Sequence, residues 1–305
     1  MKASSHTTRQ GVGRLADDLL SCCDQIAAAI SLPRVETVLL PRTGSVDNGK
    51  SRKFGLVVLE DHSTGLFFTR LSQNRTETND STLAHIEVDR FDLTLLPRDV
   101  LELAAWYRSD NLERRAMGLG AISAITQALF RQSDYRPPDA INPIANLEPE
   151  PGDHFGMVGF FPGLVDKLRN AGVRLTVLEL DERFVQSDKD FEVTLDPRRL
   201  STCNKVLCTA STLINDTVDD ILACAGDAHV TLIGPSAGCM PEPLFKRGVI
   251  VIGGSRIVDF KGLEICLQTG VDWSACVEKY CLTPSTYPGT ALLTEQAMIR
   301  SAQPR

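Results

Sequence analysis

Long apolar runs are missing from this 305-residue sequence. No stretch reaches the roughly 18 to 20 consecutive apolar residues that a membrane-spanning helix needs. The first ten residues, MKASSHTTRQ, also lack the apolar core of a signal peptide. We therefore expect no membrane association and a cytoplasmic location.

Blocks of positive charge are absent as well. The net charge is -7 and the predicted pI is about 5.3, with lysine and arginine spread along the chain. A nucleic-acid-binding surface needs clustered basic residues to contact phosphates. The sequence therefore gives no reason to expect a nucleic-acid partner.

Recognisable metal or disulfide motifs are also missing. The nine cysteines include no CxxC pair, and the five histidines are scattered. An odd number of cysteines without an export signal favours reduced thiols over a disulfide framework. No histidine has a cysteine or carboxylate at ligand spacing, so a closed structural zinc site is not expected.

The first half of the chain shows helical and strand periodicity in turn. Residues 11–30 are predicted to form an amphipathic helix. Three strands follow at 35–41, 53–61 and 65–71, the last two as a hairpin, and then two helices at 97–109 and 111–130. The second of these helices is rich in small residues, which permit close approach of another helix or of a ligand.

A proline-rich segment separates this half from the next. Residues 133–152 hold five prolines and no hydrophobic period, so they cannot continue a helix or a central strand. We predict an N-terminal α+β domain at 1–135, a linker at 136–152 and a C-terminal domain at 153–305.

The second half alternates short apolar runs with helical stretches, beginning with HFGMVGF and ending with GVIVIGG. Continuous apolar strands alternating with helices are typical of a parallel sheet covered on both faces. The sequence thus predicts an α/β fold: a doubly wound C-terminal domain with a parallel sheet beside a smaller N-terminal α+β domain.

The first crossover of this predicted sheet resembles a nucleotide-binding βαβ unit. A helix is expected to start at Pro162, and Glu179 ends the next strand 20 residues after Gly159, where an acidic residue can accept hydrogen bonds from a ribose. The glycine spacing is GxxGxxxG, however, with bulky Phe160 and Phe161 in place of room for a pyrophosphate. A tight structural turn and a nucleotide site both remain open.

Two further loops follow predicted strands with polar residues. TASTLINDT, residues 209–217, places hydroxyls and an amide at a strand end, where ligands bind in open α/β sheets. Either Asn215 or Asp216 is expected to cap the helix that follows. The loop therefore combines a capping role with a candidate binding role.

The other loop lies in LIGPSAGCMP, residues 232–241, which ends a strand in glycine, proline and serine. A GxSxG nucleophile motif is absent, so covalent catalysis by Ser236 is disfavoured. Backbone dipoles in the loop would favour a thiolate at Cys239, the alternative being a passive thiol. A fourth loop, GSRIVD at 254–259, is expected to bring Gly254 and Arg256 to the same edge as Gly159, Thr209 and Ser236.

These loops, in this order, resemble the putative heavy-metal chelation family. The resemblance rests on VGFFPGLVDKLRNAG, VLELD, TASTLINDT, LIGPSAGCMPEPLFKRGV and GGSRIVD, with an echo in LERRAMGLGAISA. It implies an enolase N-terminal-like domain followed by a Rossmann-like domain, with a ligand cleft between them. A role in handling heavy metals has been suggested for the family, and no reaction is attached to it.

The resemblance also implies which residues line the cleft. They are Gly159, Phe160, Phe161, Pro162, Glu179, Thr209, Ser211, Thr212, Asn215, Thr217, Gly234, Pro235, Ser236, Arg256 and Asp259, to which this chain adds Cys239. The chain departs from the family where Ser123 replaces an asparagine and where Ala237 and Gly238 replace a threonine and a proline.

Two functional readings follow. One is a protein that binds a small molecule, a heavy-metal ion or a metal complex between its domains. The other is an enzyme that uses a nucleotide cofactor, S-adenosylmethionine or NAD, with Glu179 on the ribose. A two-fold homodimer is the default expectation for the assembly.

Overall fold

A computed structural model of the protein describes residues 13–40, 54–71, 84–85, 95–140, 147–269 and 271–302. The start of the first predicted helix and the middle of the predicted linker lie outside these residues. No helix in the described ranges is long and apolar enough to cross a membrane.

Within the described residues, the N-terminal part contains a small antiparallel sheet and three α-helices. In chain order the elements are α1 (Leu15–Ala29), β1 (Val35–Leu39), β2 (Phe54–Leu59), β3 (Thr64–Phe68), β4 (Arg70–Leu71), β5 (Ala84–His85), α2 (Val100–Ala105) and α3 (Leu112–Ser133). The strands β1, β2 and β3 form one sheet in that order, and β4 pairs with β5. The antiparallel pairing of β2 with β3 confirms the predicted hairpin.

The long helix α3 is bounded by clear end signals. Asn111 accepts a 2.9 Å hydrogen bond from the backbone N–H of Arg114, and Asp134 ends the helix with a φ of 61°. Its small residues pack against a strand: a Cβ on Gly65 of β3 would overlap the backbone of Gly120 and Ala124. The predicted close approach is therefore made by the small sheet.

The C-terminal part is built on a large sheet with intervening helices. In chain order the elements are β6 (His154–Val158), α4 (Pro162–Asn170), β7 (Arg174–Leu178), β8 (Gln186–Ser187), β9 (Phe191–Thr194), β10 (Lys205–Thr209), α5 (Val218–Ala225), β11 (His229–Ile233), α6 (Glu242–Phe245), β12 (Val249–Ile257), α7 (Phe260–Thr269), β13 (Val277–Leu282) and α8 (Thr290–Ser301). The helix predicted to start at Pro162 does so.

The strand order of this sheet is β13-β12-β11-β10-β6-β7-β9-β8. Six neighbouring strands, from β12 to β9, are parallel, while β13 and β8 run antiparallel at the two ends. Relative to β6 as the first strand, the parallel order is the 3-2-1-4-5-6 order of doubly wound dinucleotide-binding folds. The order reverses between β6 and β10, which makes that crevice the topological switch point.

Alternate residues of the central strands enter different hydrophobic clusters. Leu207 packs on one face with Val165 of α4, whereas Val206 and Cys208 pack on the other with Ile221 of α5. Both faces of the sheet are therefore covered, which confirms the predicted doubly wound α/β class.

One prediction about the sheet is wrong. GSRIVD was expected to be a loop, but β12 continues through Gly254 and Arg256 to Ile257. The strand is extended because β13 pairs antiparallel with it, placing Gly254 opposite Tyr280 and Arg256 opposite Glu278. Only Val258 and Asp259 remain as the connection to α7.

The hydrophobic core continues across the predicted domain boundary. The largest cluster joins α1 and α3 to residues of α5, β11 and α8. The opposite face of the small sheet packs on α7, with Leu56 and Leu66 against Leu263 and Leu267. The small sheet is therefore enclosed between α3 and a helix of the C-terminal part.

Candidate functional site

Three loops meet at the carboxyl ends of the parallel strands, and glycines form their contacts. A Cβ on Gly159 would lie 3.1 Å from Thr209 Cγ2, and one on Gly234 would lie 3.2 Å from Ala210 Cβ. Gly159 and Gly234 have φ angles of 86° and 140°, a backbone region that residues other than glycine rarely adopt. The loops after β6, β10 and β11 thus converge at the switch point, as the sequence indicated.

The loop after β11 also contacts α3. A Cβ on Gly238 would lie 3.0 Å from Ser123 Cβ and 3.1 Å from its Oγ. The two positions at which the sequence departs from the resembled family are therefore in direct contact. A small residue on the helix faces a residue without a side chain on the loop.

Glu179 holds the loop after β6 in place. Its Oε2 accepts a 2.9 Å hydrogen bond from the Phe160 N–H, and its Oε1 accepts a 2.8 Å bond from the Leu180 N–H. The Phe160 ring stacks on Phe184 at 5.6 Å, and Phe161 packs against the cluster beneath. Both carboxylate oxygens that could contact a ribose therefore already accept backbone N–H groups.

The hydroxyls of TASTLINDT are bonded largely within the loop. Thr209 Oγ1 and Ser211 Oγ lie 3.2 Å apart, and Thr212 Oγ1 donates to the Thr209 carbonyl at 2.7 Å. Asn215 Oδ1 accepts a 2.7 Å hydrogen bond from Thr217 Oγ1. These bonds fix the short 3-10 turn after β10, and leave Thr209 and Ser211 half-buried at the edge.

The expected cap of α5 is not formed by either predicted residue. Thr217 occupies the N-cap position and has no side-chain capping bond. Asp216, at a φ of 60°, instead pairs with Arg115 at 3.0 Å, and Arg115 is buried in α3. The loop is thereby tied to the N-terminal part by a charge pair.

Ser236 makes a second connection between the N-terminal and C-terminal parts. Its Oγ accepts a 3.0 Å hydrogen bond from the backbone N–H of Phe68, at the end of β3. Ser236 is 2% exposed and Pro235 beside it is half-buried. The serine therefore joins the two parts of the molecule through its side chain.

Cys239 is a buried thiol behind this loop. Burial raises the pKa of the Cys239 thiol to about 12, with a smaller contribution from the Cys22 thiol. The thiolate-favouring effect that we expected from backbone dipoles is outweighed by desolvation. Cys239 thus has the properties of the passive alternative.

Arg256 and Asp259 have structural partners. Arg256 Nε donates to Glu278 Oε2 at 2.9 Å, Nη1 donates to the Pro137 carbonyl at 2.9 Å, and Nη2 pairs with Asp139. Asp259 is exposed, and its Oδ1 accepts a 2.9 Å bond from the Gly262 N–H at the start of α7. Neither residue shares a hydrogen bond with the three converging loops.

The structure also draws attention to polar groups that sequence reasoning left out of the site. Within the described residues, Thr69 Oγ1 and Ser123 Oγ are buried atoms without a hydrogen-bond partner, and the Gln127 amide contacts the Tyr280 hydroxyl. Ser123 and Gln127 lie one turn apart on α3, and Thr69 follows the residue that donates to Ser236. The only sequence signal for them is the small-residue character of α3.

Direct metal ligands are not gathered in the part of the chain described here. Among the described residues, no group of three or more histidine, cysteine, aspartate or glutamate side chains has metal-binding geometry. Two surface depressions lie away from the converging loops, one beside β1 and one at the amino ends of β10 and β11.

Comparison with known proteins agrees with the motif-based resemblance. The model of a family described as "putative heavy-metal chelation" matches residues 142–284. This match confirms the resemblance for the C-terminal sheet. No curated protein matches the chain.

Two solved structures share the fold. A protein of unknown function from this family in Pyrococcus horikoshii is 18% identical, with a TM-score of 0.60 over 88% of this chain and 99% of that one. A family member of unknown function from Desulfitobacterium hafniense is also 18% identical, with a TM-score of 0.59 over 88% and 98% of the two chains. These likenesses extend through both parts of the molecule.

Proposed function

Since residues 142–284 match the putative heavy-metal chelation family, we propose that this protein binds a small polar molecule or a metal complex between α3 and the converging loops. The ligand would contact the loops after β10 and β11, beside the switch point. Open α/β sheets bind ligands in this crevice outside the strand carboxyl ends.

The observation that carries the proposal is the Ser123 hydroxyl. Ser123 is 1% exposed and its Oγ has no partner among the described residues. Leaving such a group unpaired costs about 1 to 3 kcal/mol. A ligand oxygen that accepted its hydrogen bond would recover that energy, and binding would thus complete the site.

The polar groups of this region are neutral. The Gln127 amide, one turn along α3, contacts the Tyr280 hydroxyl, and Thr69 Oγ1 is a second buried group without a partner among the described residues. Neutral donors of this kind suit the oxygen atoms of an organic ligand or of a metal complex. Because the loop of Gly238 covers Ser123, the loop has to shift from α3 for the contact to form.

A complexed metal fits this site better than a bare ion. Divalent ions need several charged or lone-pair ligands, and the described residues present no group of three. A metal already held by an organic chelator brings its own ligands. The protein then needs only to recognise the outer oxygens of the complex.

A melting screen with a matched pair of variants tests the proposal. Probes are divalent ions, the same ions as citrate complexes, and metal-free citrate. Ser123→Ala removes the unpaired hydroxyl, so it should keep or raise the Tm of the ligand-free protein but lose the ligand-induced increase. Ser133→Ala removes a hydroxyl already bonded to the Leu129 carbonyl at 2.7 Å, so it should keep the ligand-induced increase. A full ligand shift in Ser123→Ala, or no shift with any probe in the unaltered protein, would contradict this assignment.

The strand order favours one alternative, an enzyme with a nucleotide cofactor. The 3-2-1-4-5-6 order and the position of Glu179 after β7 are those of dinucleotide-binding folds. In that case S-adenosylmethionine or NAD should raise the Tm, and Glu179→Gln should reduce the increase. If neither cofactor raises the Tm, the hypothesis of a nucleotide-dependent enzyme is wrong.

A further inference from the structure

Two cysteines that belong to no sequence motif meet beside the small sheet. Cys266 lies in α7, one helical turn after Gly262, and Cys276 ends the 3-10 turn Ser274–Cys276 that precedes β13. A Cβ on Gly262 would lie 3.1 Å from Cys276 Sγ, so the Cys276 thiol lies over the helix face that also carries Cys266. The Cys266 thiol donates a 3.6 Å hydrogen bond to the Asp272 carbonyl, just before the turn that carries Cys276, and it raises the pKa of the Cys276 thiol.

The surroundings of this thiol pair are apolar on one side and acidic on the other. Cys276 is 6% exposed and belongs to the cluster of Leu263, Leu267 and Trp273. The Asp259 carboxylate lies against Gly262 on the same side as Cys276 Sγ. Burial, the Cys266 thiol and Asp259 all raise the pKa of the Cys276 thiol. The Cys276 thiol is therefore held neutral beside a carboxylate.

The backbone keeps the two thiols close. The Cys276 carbonyl accepts hydrogen bonds from the N–H groups of Val258 and Asp259, at 2.9 and 3.2 Å. The same Asp259 fixes the first turn of α7 through Gly262. The end of β12 thus positions the turn that carries one cysteine and the helix that carries the other.

We propose that Cys266 and Cys276 form a binding site for a soft, thiol-preferring metal ion, Cu⁺ or Hg²⁺. Soft ions select thiolate ligands, and a pair of thiolates is sufficient for an ion that accepts linear coordination. On binding, each thiol releases its proton to solvent and forms one sulfur–metal bond, with no change of oxidation state. Asp259 adds negative charge beside the cation.

The chemistry predicts selectivity and pH dependence. Zn²⁺ takes four ligands in structural sites, and no group of three donors exists in the described ranges, so Zn²⁺ should bind far more weakly. Because metal binding displaces thiol protons, affinity should rise with pH. This site lies on the α7 side of the small sheet, opposite α3, and does not depend on the ligand proposed for the converging loops.

Cysteine-resolved alkylation tests the inference in the full-length protein. The reduced protein is desalted, incubated with Hg²⁺ at one equivalent, treated with N-ethylmaleimide and mapped by peptide mass spectrometry. An ion present at ten times its dissociation constant should slow alkylation of both Cys266 and Cys276 about tenfold. Zn²⁺ at the same concentration should give no protection.

Single variants separate this site from the other cysteines. Cys266→Ser should abolish the protection of Cys276, and Cys276→Ser should abolish that of Cys266. Cys224→Ser, a half-buried cysteine on α5, is the matched control and should leave both protected. Equal alkylation with and without Hg²⁺, or protection of Cys276 that survives Cys266→Ser, would overturn the proposal.

The same variants keep the two proposals distinguishable. Ser123→Ala should retain the protection of Cys266 and Cys276, whereas Cys266→Ser should retain the ligand-induced increase in Tm at the loops. If one proposal fails its test, the measurement that tests the other proposal can still be interpreted.

Discussion

The Ser236 hydroxyl accepts a 3.0 Å hydrogen bond from the backbone N–H of Phe68, 168 residues earlier in the chain. This single bond connects the end of β3 to the loop after β11. The serine that could pass for a nucleophile in the sequence therefore serves as an acceptor between the two parts of the molecule. Removal of the Ser236 hydroxyl should therefore lower the stability of the fold.

Ser236→Ala should destabilise the fold by about 1 kcal/mol, because it leaves the partly buried backbone N–H of Phe68 without its acceptor. Urea unfolding should show a lower midpoint with an unchanged slope. Ser211→Ala is the control, since Ser211 is half-buried and its hydroxyl has only a 3.2 Å contact with Thr209. Equal midpoints for the two variants would show that the bond to Phe68 contributes little.

Sequence periodicity predicted the order and type of most elements. The alternation of short apolar runs with helices indicated the doubly wound sheet, and Pro162 marked the start of α4. The convergence of the loops followed from the rule that parallel strands end at one edge. These features depend on local pattern and on general topology, which a single sequence contains.

The errors came from long-range pairing. The local sequence does not show that β13 pairs with the last residues of β12. It therefore predicts a loop at Arg256, whereas the structure has a strand there, with Arg256 bonded to Glu278 and Asp139. The partner of Glu179 was equally hidden, because the N–H of Phe160 reaches it only when β6 and β7 are side by side. The contacts of Ser123 and of the Cys266–Cys276 pair depend on how α3 and α7 pack, and the sequence alone does not show that packing.

The contact between Gly238 and Ser123 should be strongly coupled. Gly238→Ala places a Cβ 3.0 Å from Ser123 Cβ, which should cost about 1 to 3 kcal/mol through overpacking. Ser123→Gly removes the opposing atoms, so the double variant should be more stable than the sum of the single effects by about 0.5 kcal/mol or more. Unfolding midpoints of the four proteins give this coupling, and additive effects would show that the loop relaxes away from α3.

Arg247 should contribute more than the exposed ion pairs. It is 5% exposed and bonds Asp18 of α1 at 2.7 Å, Asp219 of α5 at 2.8 Å and the Pro243 carbonyl at 2.9 Å. Arg247→Met should lower stability by about 2 kcal/mol, less than the loss of a fully buried pair because both aspartates are partly exposed.

Arg300→Ala supplies the comparison for Arg247. Arg300 pairs with Asp134 on the surface at 3.2 Å, and exposed pairs contribute about 0 to 1 kcal/mol. Thermal melts should therefore separate the two variants by several degrees. Similar melting temperatures would mean that α1 stays attached without the guanidinium of Arg247.

Asp153 should make the fold sensitive to acid. Partial burial raises the pKa of Asp153, but hydrogen bonds from Lys205, Asn204 and the Glu150 N–H outweigh it and lower the pKa overall. A lowered folded-state pKa means that the stabilisation is present above the unfolded value of about 3.9 and is lost as pH falls through the folded value. Asp153→Asn should therefore be less stable than the unaltered protein at pH about 6, and the difference in urea midpoint should shrink toward pH about 3. A difference that stays constant across this range would place the effect in packing of the side chain, with no contribution from its charge.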